Sequence, residues 1–260
     1  MKITILGARG SVPIDGKDML EFGGATSCVL VQTDELALFL DAGTGIIHAP
    51  DVGSREIKIL LTHPHFDHLI GLPFFPYNGE KGRKIDVYGR GNGEMSVFDN
   101  LERLISPPLW PCTIADYLAD YEIHEMDSSI CIGDAQITAL YSRHPGGSLL
   151  FRITNKGKSV VYATDYEYDD EGLADITEFC MNTDLLLIDG QYTDEEFAAR
   201  RGYGHSTVAQ GMRIMENAHA RNIRFVHHDP RHTDAMLTEM ERPIKSENAS
   251  FARQGEEIVL

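Results

Sequence analysis

The sequence predicts one α/β domain, residues 1–260, built as two packed sheets with helices on their outer faces. Three observations predict it. Apolar or alternating runs of strand length recur through both halves of the chain. Stretches of helical period follow the blocks of strands. No repeat, low-complexity tract or linker divides the 260 residues, and 42% of them are hydrophobic, enough for a large core.

The elements follow in order. Lys2–Leu6 is a strand ended by GARGSVP. Ser27–Thr33 and Leu36–Asp41 make a hairpin around Asp34–Glu35, and Ile57–Leu61 reads as a buried strand. Lys84–Tyr88 is another. Residues 89–127 break the pattern. Glu94–Ile105 has Val97, Leu101, Leu104 and Ile105 on one helical face, and SPPLWPCT after it holds too many prolines for a regular element. This stretch reads as an insertion over the sheets. It carries the only tryptophan, Trp110, either as an anchor of the insertion or as a stacking surface for a ligand. Strands return at Tyr121–Glu125, Gln136–Tyr141, Leu149–Asn155 and Lys158–Ala163, the last two joined through Asn155-Lys156-Gly157, a hairpin signal. Leu185–Ile188 and Ile223–Val226 are strands, and Ser206–His219 and Asp234–Glu247 are helices.

Composition excludes several classes. No apolar run approaches the length of a membrane span, and MKITILGARG is too soon broken to be a secretory signal, so a cytoplasmic protein is expected. Cys28, Cys112, Cys131 and Cys180 are scattered without metal-site or disulfide spacing and read as small buried hydrophobes. The net charge of −17, without a basic cluster, repels phosphate backbones and argues against long nucleic acid as a partner. A small anionic substrate is compatible with it, and bound divalent cations would offset part of the charge.

The chemistry is concentrated in THPHFDH, directly after the Ile57–Leu61 run. Imidazoles and a carboxylate suit borderline divalent metals such as zinc, manganese or ferrous iron. His63 and His65, two apart on an extended chain, point the same way. Asp67 and His68 lie beyond them and suit a second ion. His144 in SRHPGG, Asp165 in YATDYEY and His227 or His228 in FVHHDPRH each sit just past an apolar run, where strand ends present ligands. Asp41, also at a strand end, is either a turn former or a support for the ligands.

H-x-H-x-D-H after a strand, followed by a lone His, a lone Asp and a late His after strands, resembles the metallo-β-lactamase fold superfamily. ILGARGSVP, FLDAGTG, GHST and HHDPR are similar to motifs of its ribonuclease Z and cyclic-phosphodiesterase branch. The likeness runs over nearly the whole chain. It implies a four-layer αββα sandwich, with the insertion over the active site, and two divalent ions at one edge. By the same resemblance His63, His65 and His144 bind one ion, Asp67, His68 and His227 bind the other, and Asp165 bridges them. The register of HHDPR favours His227 over His228. A homodimer is compatible with the branch.

Two cations roughly 3.5–4 Å apart can activate a water and bind a phosphoryl oxygen. The expected reaction is hydrolysis by metal-bound hydroxide, with Asp67 and Asp165 accepting its hydrogen bonds. The resemblance makes His205 of GHST the general acid for the leaving alkoxide. Asp189, ending the LLLID strand, is its expected partner, because a carboxylate beside an imidazole favours the protonated ring. His205 as an ordinary residue beside a helix cap is the competing reading. The segment between Asp165 and His205 is short and acidic, unlike the long basic arm of ribonuclease Z enzymes. The expected substrate is therefore a small cyclic or nucleotide-like phosphodiester. A two-metal hydrolase of an ester, lactone or thioester is the alternative, and a non-catalytic metal-binding protein the third reading.

Overall fold

The strands are apolar on both faces wherever they lie centrally, as LALFL and LLLID show, because both faces of each sheet are covered. The computed structural model describes residues 1–91, 93–244 and 246–260. These form two seven-stranded sheets. The first contains β1 (Lys2–Gly7), β2 (Cys28–Gln32), β3 (Leu36–Leu40), β4 (Glu56–Leu60), β5 (Lys84–Gly89) and β6 (Asp120–Glu125). The second contains β7 (Ser129–Ile132), β8 (Ala135–Ser142), β9 (Ser148–Asn155), β10 (Lys158–Ala163), β11 (Leu185–Asp189), β12 (Ile223–Val226) and β13 (Ala249–Phe251). The last strand, β14 (Glu257–Val259), returns to pair antiparallel with β1.

Each sheet is antiparallel at one side and parallel at the other. In the first, β1, β2 and β3 pair antiparallel and β3 to β6 parallel. In the second, β7 to β10 pair antiparallel and β10 to β13 parallel. Alternate residues face alternate layers. Leu38, Leu60, Phe151, Tyr162 and Leu187 meet between the sheets. Phe39, Ile59 and Val87 face outward onto Leu101 of α2 (Val97–Leu104). Ile188 and Phe225 face Ile214 of α5 (Val208–Asn217) and Leu237 of α6 (Asp234–Glu241). This is the four-layer sandwich the resemblance implies.

Helix boundaries are tighter than the periodicity predicts. α2 starts at Val97 because Ser96 and Asp99 form a capping box, and α5 starts at Val208 because Thr207 and Gln210 form another. α6 ends at Glu241, just before Pro243, where a helix cannot readily continue. Its predicted extension to Glu247 crosses Lys245, which lies outside the described residues. Residues 89–127 divide in two. Gly91 and residues 93–96 border a cleft beside His63, whereas α2 and the residues after it pack on the outer face of the first sheet before β6 joins that sheet. Trp110 packs against this outer core, with its ring edge-on to Phe74 at 5.4 Å. All four cysteines are free. Cys28 and Cys180 are buried, but Cys131 is exposed, against expectation, because it lies on the second sheet's edge strand β7. No helix among the described residues is long and apolar enough to cross a membrane.

The two ends of the sequence are joined by Arg9. Its guanidinium is fully buried and donates to the carbonyls of Gly23 (2.8 Å), Asp229 (3.1 Å) and His232 (2.8 Å). The backbone beside it pairs as well: His228 N–H donates to Ala8 O, and Gly10 N–H to His228 O, both at 2.9 Å. GARGSVP and HHDPRH are therefore one structural unit. Arg9→Met would take the guanidinium from all three carbonyls, of which Asp229 O keeps the His232 N–H as a donor, and charge-assisted hydrogen bonds carry about 1.5–3 kcal/mol each. A loss of about 3 kcal/mol is expected, read as a lower urea midpoint at unchanged slope.

Candidate metal centre

The centre is assembled from strand ends, and THPHFDH is its base. Beyond β4 the chain runs extended through His63 to His65, then turns into the short helix α1 (Phe66–Leu69). The extended spacing brings the rings of His63 and His65 within 4.3 Å. The helical turn carries Asp67 and His68 inward and leaves Phe66 exposed. Strands from the second sheet supply the rest. His144 follows β8, Asp165 follows β10, and His227 follows β12.

Four groups, each with its donor atoms within 4.8 Å of one another, gather around Asp165: His63, His65 and His144; Asp67, His68 and His227; His63, His68 and Asp165 itself; and Asp165, His205 and His227. His144 Nε2 is 3.1 Å from His65 Nδ1. His227 Nε2 is 3.1 Å from Asp67 Oδ2. Asp165 stands between the triads. Its Oδ1 is 3.8 Å from His63, 3.7 Å from His144 and 3.4 Å from His227, and its Oδ2 is 3.2 Å from His68. The structure thus brings together all seven residues predicted as ligands, with Asp165 central.

His227 and His228 are separated cleanly. His227 sits at φ +63°, which turns its ring into the cluster. His228 points the other way, between Phe22 and Phe251, and donates from Nε2 to Phe225 O at 3.0 Å. Burial, with the Arg9 charge nearby, pushes its pKa down to about 3, so it is a neutral core residue. Asp41 and Asp165 share the left-handed backbone of His227, at φ +63° and +54°. Such conformations cost Asp and His less than most residues but still on the order of 1 kcal/mol, and they cluster at functional sites.

Four of the five rings are oriented by a bond on the other side, the exposed His65 being the exception. His68 Nδ1–H donates to Asp41 at 2.7 Å, His144 Nδ1–H to Gly204 O at 3.0 Å, and His227 Nδ1–H to Gln191 Oε1 at 3.2 Å. His63 Nδ1–H donates to Thr62 Oγ1 at 3.0 Å, and that hydroxyl donates to Asp41. Tyr162 completes the Asp41 shell at 3.1 Å. Asp41 is thus a support for the ligands. These bonds fix the tautomers so that Nε2 of all four rings faces Asp165. Sequence reasoning missed Thr62, Tyr162 and Gln191 in this role. Thr62 and Gln191 stand beside predicted residues at strand ends, a usable signal, whereas Tyr162 lies inside a strand like any core residue. Ser11, whose N–H donates to Asp67 Oδ2 at 2.7 Å, belongs to the opening motif.

The charge distribution calls for a cation. Among the described residues the ion-pair partners of Asp41, Asp67, Asp165 and Asp189 are all imidazoles. Burial works to raise the carboxyl pKa values of Asp67 and Asp165, yet the surrounding rings hold both well below the usual range. Burial would lower His227, but Asp165 and Asp67 push it up to about 9. Nε2 of His63 and of His68 are buried without a hydrogen-bond partner. Orphaned inward nitrogens beside strongly ionised carboxylates fit a divalent cation.

His205 lies beside this cluster. Its ring stacks on His227 at 4.8 Å between centroids, and its Nδ1–H donates to the buried Asp189 at 2.9 Å. Asp189 also accepts from the backbone N–H of Asp165, Gln191 and Ser206. The predicted pair is therefore formed.

A family model described as "Beta-lactamase superfamily domain" matches residues 37–228. The chain belongs to that superfamily. Among its members, the probable metallo-hydrolase YhfI of Bacillus subtilis is 24% identical over 87% of this chain and 86% of its own length. The YhfI crystal structure superposes with a TM-score of 0.73, covering 99% of this chain and 98% of that one at 20% identity. Ribonuclease Z of Haloferax volcanii is 22% identical over 99% of this chain and 94% of its own. The crystal structure of a new diphosphatase from the PhnP family superposes with a TM-score of 0.74 at 19% identity, covering 100% of this chain and 97% of that one. The superfamily member described here is accordingly a metal-dependent hydrolase, and its fold implies divalent metal ions.

The adjacent histidines give a direct test. His227→Ala is expected to reduce sharply the metal retained after dialysis, measured by elemental analysis. His228→Ala should leave metal retention intact and lower stability by about 2–4 kcal/mol through the cavity it opens.

Proposed function

We propose that this superfamily member is a two-metal phosphodiesterase acting on a small cyclic or nucleotide-like phosphodiester. His63, His65 and His144 would hold one ion, Asp67, His68 and His227 the other, with Asp165 between them and zinc, manganese or iron as suitable metals. Such ions supply Lewis-acid charge at the phosphoryl oxygens and acidify water.

The observation that carries the reading is His205 on Asp189. A phosphodiester must release an alkoxide, which leaves well only when protonated, whereas a thioester releases a thiolate that needs no added acid. Asp189 holds the His205 ring by Nδ1, so the proton for the leaving oxygen is held at Nε2. Stacking on His227 keeps the ring beside the donor cluster. Ser11 N–H and Gln191 orient Asp67 and His227 without entering the chemistry. Ribonuclease and diphosphatase both name hydrolases of phosphorus–oxygen bonds, which supports the same bond here.

Small size of the substrate is supported from two sides. Residues 165–205 are accounted for by α3 (Leu173–Cys180), β11, α4 (Asp194–Ala199) and their turns, which leaves no length for a clamping arm. The cleft beside His63 has a volume of ≈ 510 Å³, suited to a small ligand, with Glu94, Glu125 and Asp127 among its walls and Arg90 over the Tyr141 ring. With a net charge of −17, a long polyanion is disfavoured.

The test is a screen of zinc- and manganese-loaded protein against bis-p-nitrophenyl phosphate, cyclic nucleotides, cyclic ribose phosphates, lactones and thioesters. Turnover of a phosphodiester is expected, abolished by EDTA and restored by metal. His205→Ala should cut turnover of an alkyl phosphodiester on the order of 100-fold at unchanged metal content. Turnover of lactones or thioesters alone would overturn the reading, as would metal uptake without hydrolysis of any of these compounds.

A further inference from the structure

We propose that Glu167 is a positioning residue, a carboxylate that clamps the turn before His205 and thereby sets the ring of the general acid. This rests on the reading of His205 given above. Glu167 lies two residues beyond Asp165, so one strand end delivers a carboxylate to the metal centre and a second one to the loop beside it.

The contacts are specific. Gly202 N–H lies 2.8 Å from both Oε1 and Oε2 of Glu167, and Gly204 N–H donates to Oε2 at 2.7 Å. Both glycines are left-handed, at φ +88° and +92°, and flank Tyr203. The turn thus directs two amides to one anion, as backbone nests do. The next residues are fastened too: Ser206 Oγ donates to Tyr166 O and accepts from Tyr168 N–H at 3.0 Å. His205 is therefore held between two sets of bonds to residues 166–168.

Glycine is required at 204 for space as well as for φ. A Cβ there would lie 2.0 Å from His144 Nδ1, the atom that donates to Gly204 O. The same turn therefore touches one predicted metal ligand and the acid. Without Glu167, a segment with two glycines has much backbone freedom to regain. The backbone at His205 would then rest on the bonds of Ser206, while its ring keeps Asp189 and its contacts with His144, Tyr192 and His227. The bonds from two amides to Glu167 are charge-assisted, and such bonds are stronger than neutral ones.

Three variants test this on the metal-loaded protein: Glu167→Ala, Glu167→Gln and His205→Ala. Two substrates separate the acid from the rest of the site. Bis-p-nitrophenyl phosphate has a leaving group that needs no proton, and a 2′,3′-cyclic nucleotide has one that does. Glu167→Ala should lose at least about ten-fold more kcat on the cyclic nucleotide than on the aryl diester, the same split that His205→Ala produces. Glu167→Gln, which keeps an acceptor oxygen, should recover part of it. The double variant should be no worse than His205→Ala alone, since both changes act through one ring. A second readout does not depend on turnover. Amide exchange at Gly202 and Gly204, followed by NMR, should quicken at least about ten-fold in Glu167→Ala while core amides stay protected. Equal losses on both substrates, additive loss in the double variant, or unchanged exchange at the two glycines would each overturn the clamp. Absence of the split in His205→Ala would instead refute the acid, and the clamp then stands or falls on the exchange rates.

Discussion

Everything in this centre depends on which nitrogen of each imidazole points inward. A neutral ring has one donor and one acceptor nitrogen, and only the acceptor can bind a cation. The protein settles the choice by bonding the outward nitrogens of His63, His68, His144 and His227 to Thr62, Asp41, Gly204 and Gln191. Those four partners come from four separate parts of the chain. The inward nitrogens then face Asp165 from several sides, and the low position of its carboxyl pKa, against the pull of burial, expresses that geometry electrostatically. Remove the outward bonds and the same seven side chains would make a polar pocket with no preferred cation geometry.

The sandwich exists in a form that brings those partners close. Parallel strands leave their carboxyl ends side by side, and both sheets place their parallel halves toward the site. β3 and β4 deliver Asp41 and the His63–His68 run, and β10, β11 and β12 deliver Asp165, Asp189 and His227. Close approach then needs glycine. A Cβ at Gly10 would lie 2.3 Å from His227 Nδ1, and one at Gly43 would lie 2.3 Å from Asp67 O. The opening motifs GARGSVP and DAGTG hold few groups that could do chemistry, yet they are needed because the His227 ring and the backbone of Asp67 occupy the space their side chains would fill.

Much of this was readable in the sequence because the signals are local. Strand ends carrying His or Asp need only a short window, and the hairpin turn at Lys156–Gly157 follows from residue type, with φ of +50° and +77°. The Asp189–His205 pair was expected from the resemblance and the strand end. What stayed hidden depends on packing. β7, β13 and β14 are three or four residues long, too short to show a period, and owe their existence to neighbours already in the sheet. α3 and α4 lie in the short acidic segment between Asp165 and His205, where no helix is predicted, although Thr193 and Glu196 form a capping box at the start of α4. His227 and His228 are adjacent and chemically identical. The register of HHDPR favours His227, and the backbone turn at His227 with the aromatic pocket around His228 supplies the physical reason.

The backbone at these turns links stability to chemistry. Asp41, Asp165 and His227 each occupy left-handed conformations that their residue types tolerate at a cost of about 1 kcal/mol or more. A strand that simply continued would alternate its side chains between the two cores and point none of them at a neighbour's strand end. The left-handed step ends the strand and swings the next side chain across the sheet edge. Its cost is met locally: Asp41 by bonds from Thr62, His68 and Tyr162, Asp165 by the bond of its own N–H to Asp189, and His227 by Gln191. Asp189 therefore has two duties at once. It holds the backbone of the central carboxylate in its strained turn and holds the ring of His205 beside it, so the seven-residue cluster and His205 share one buried anchor and keep a fixed distance from each other.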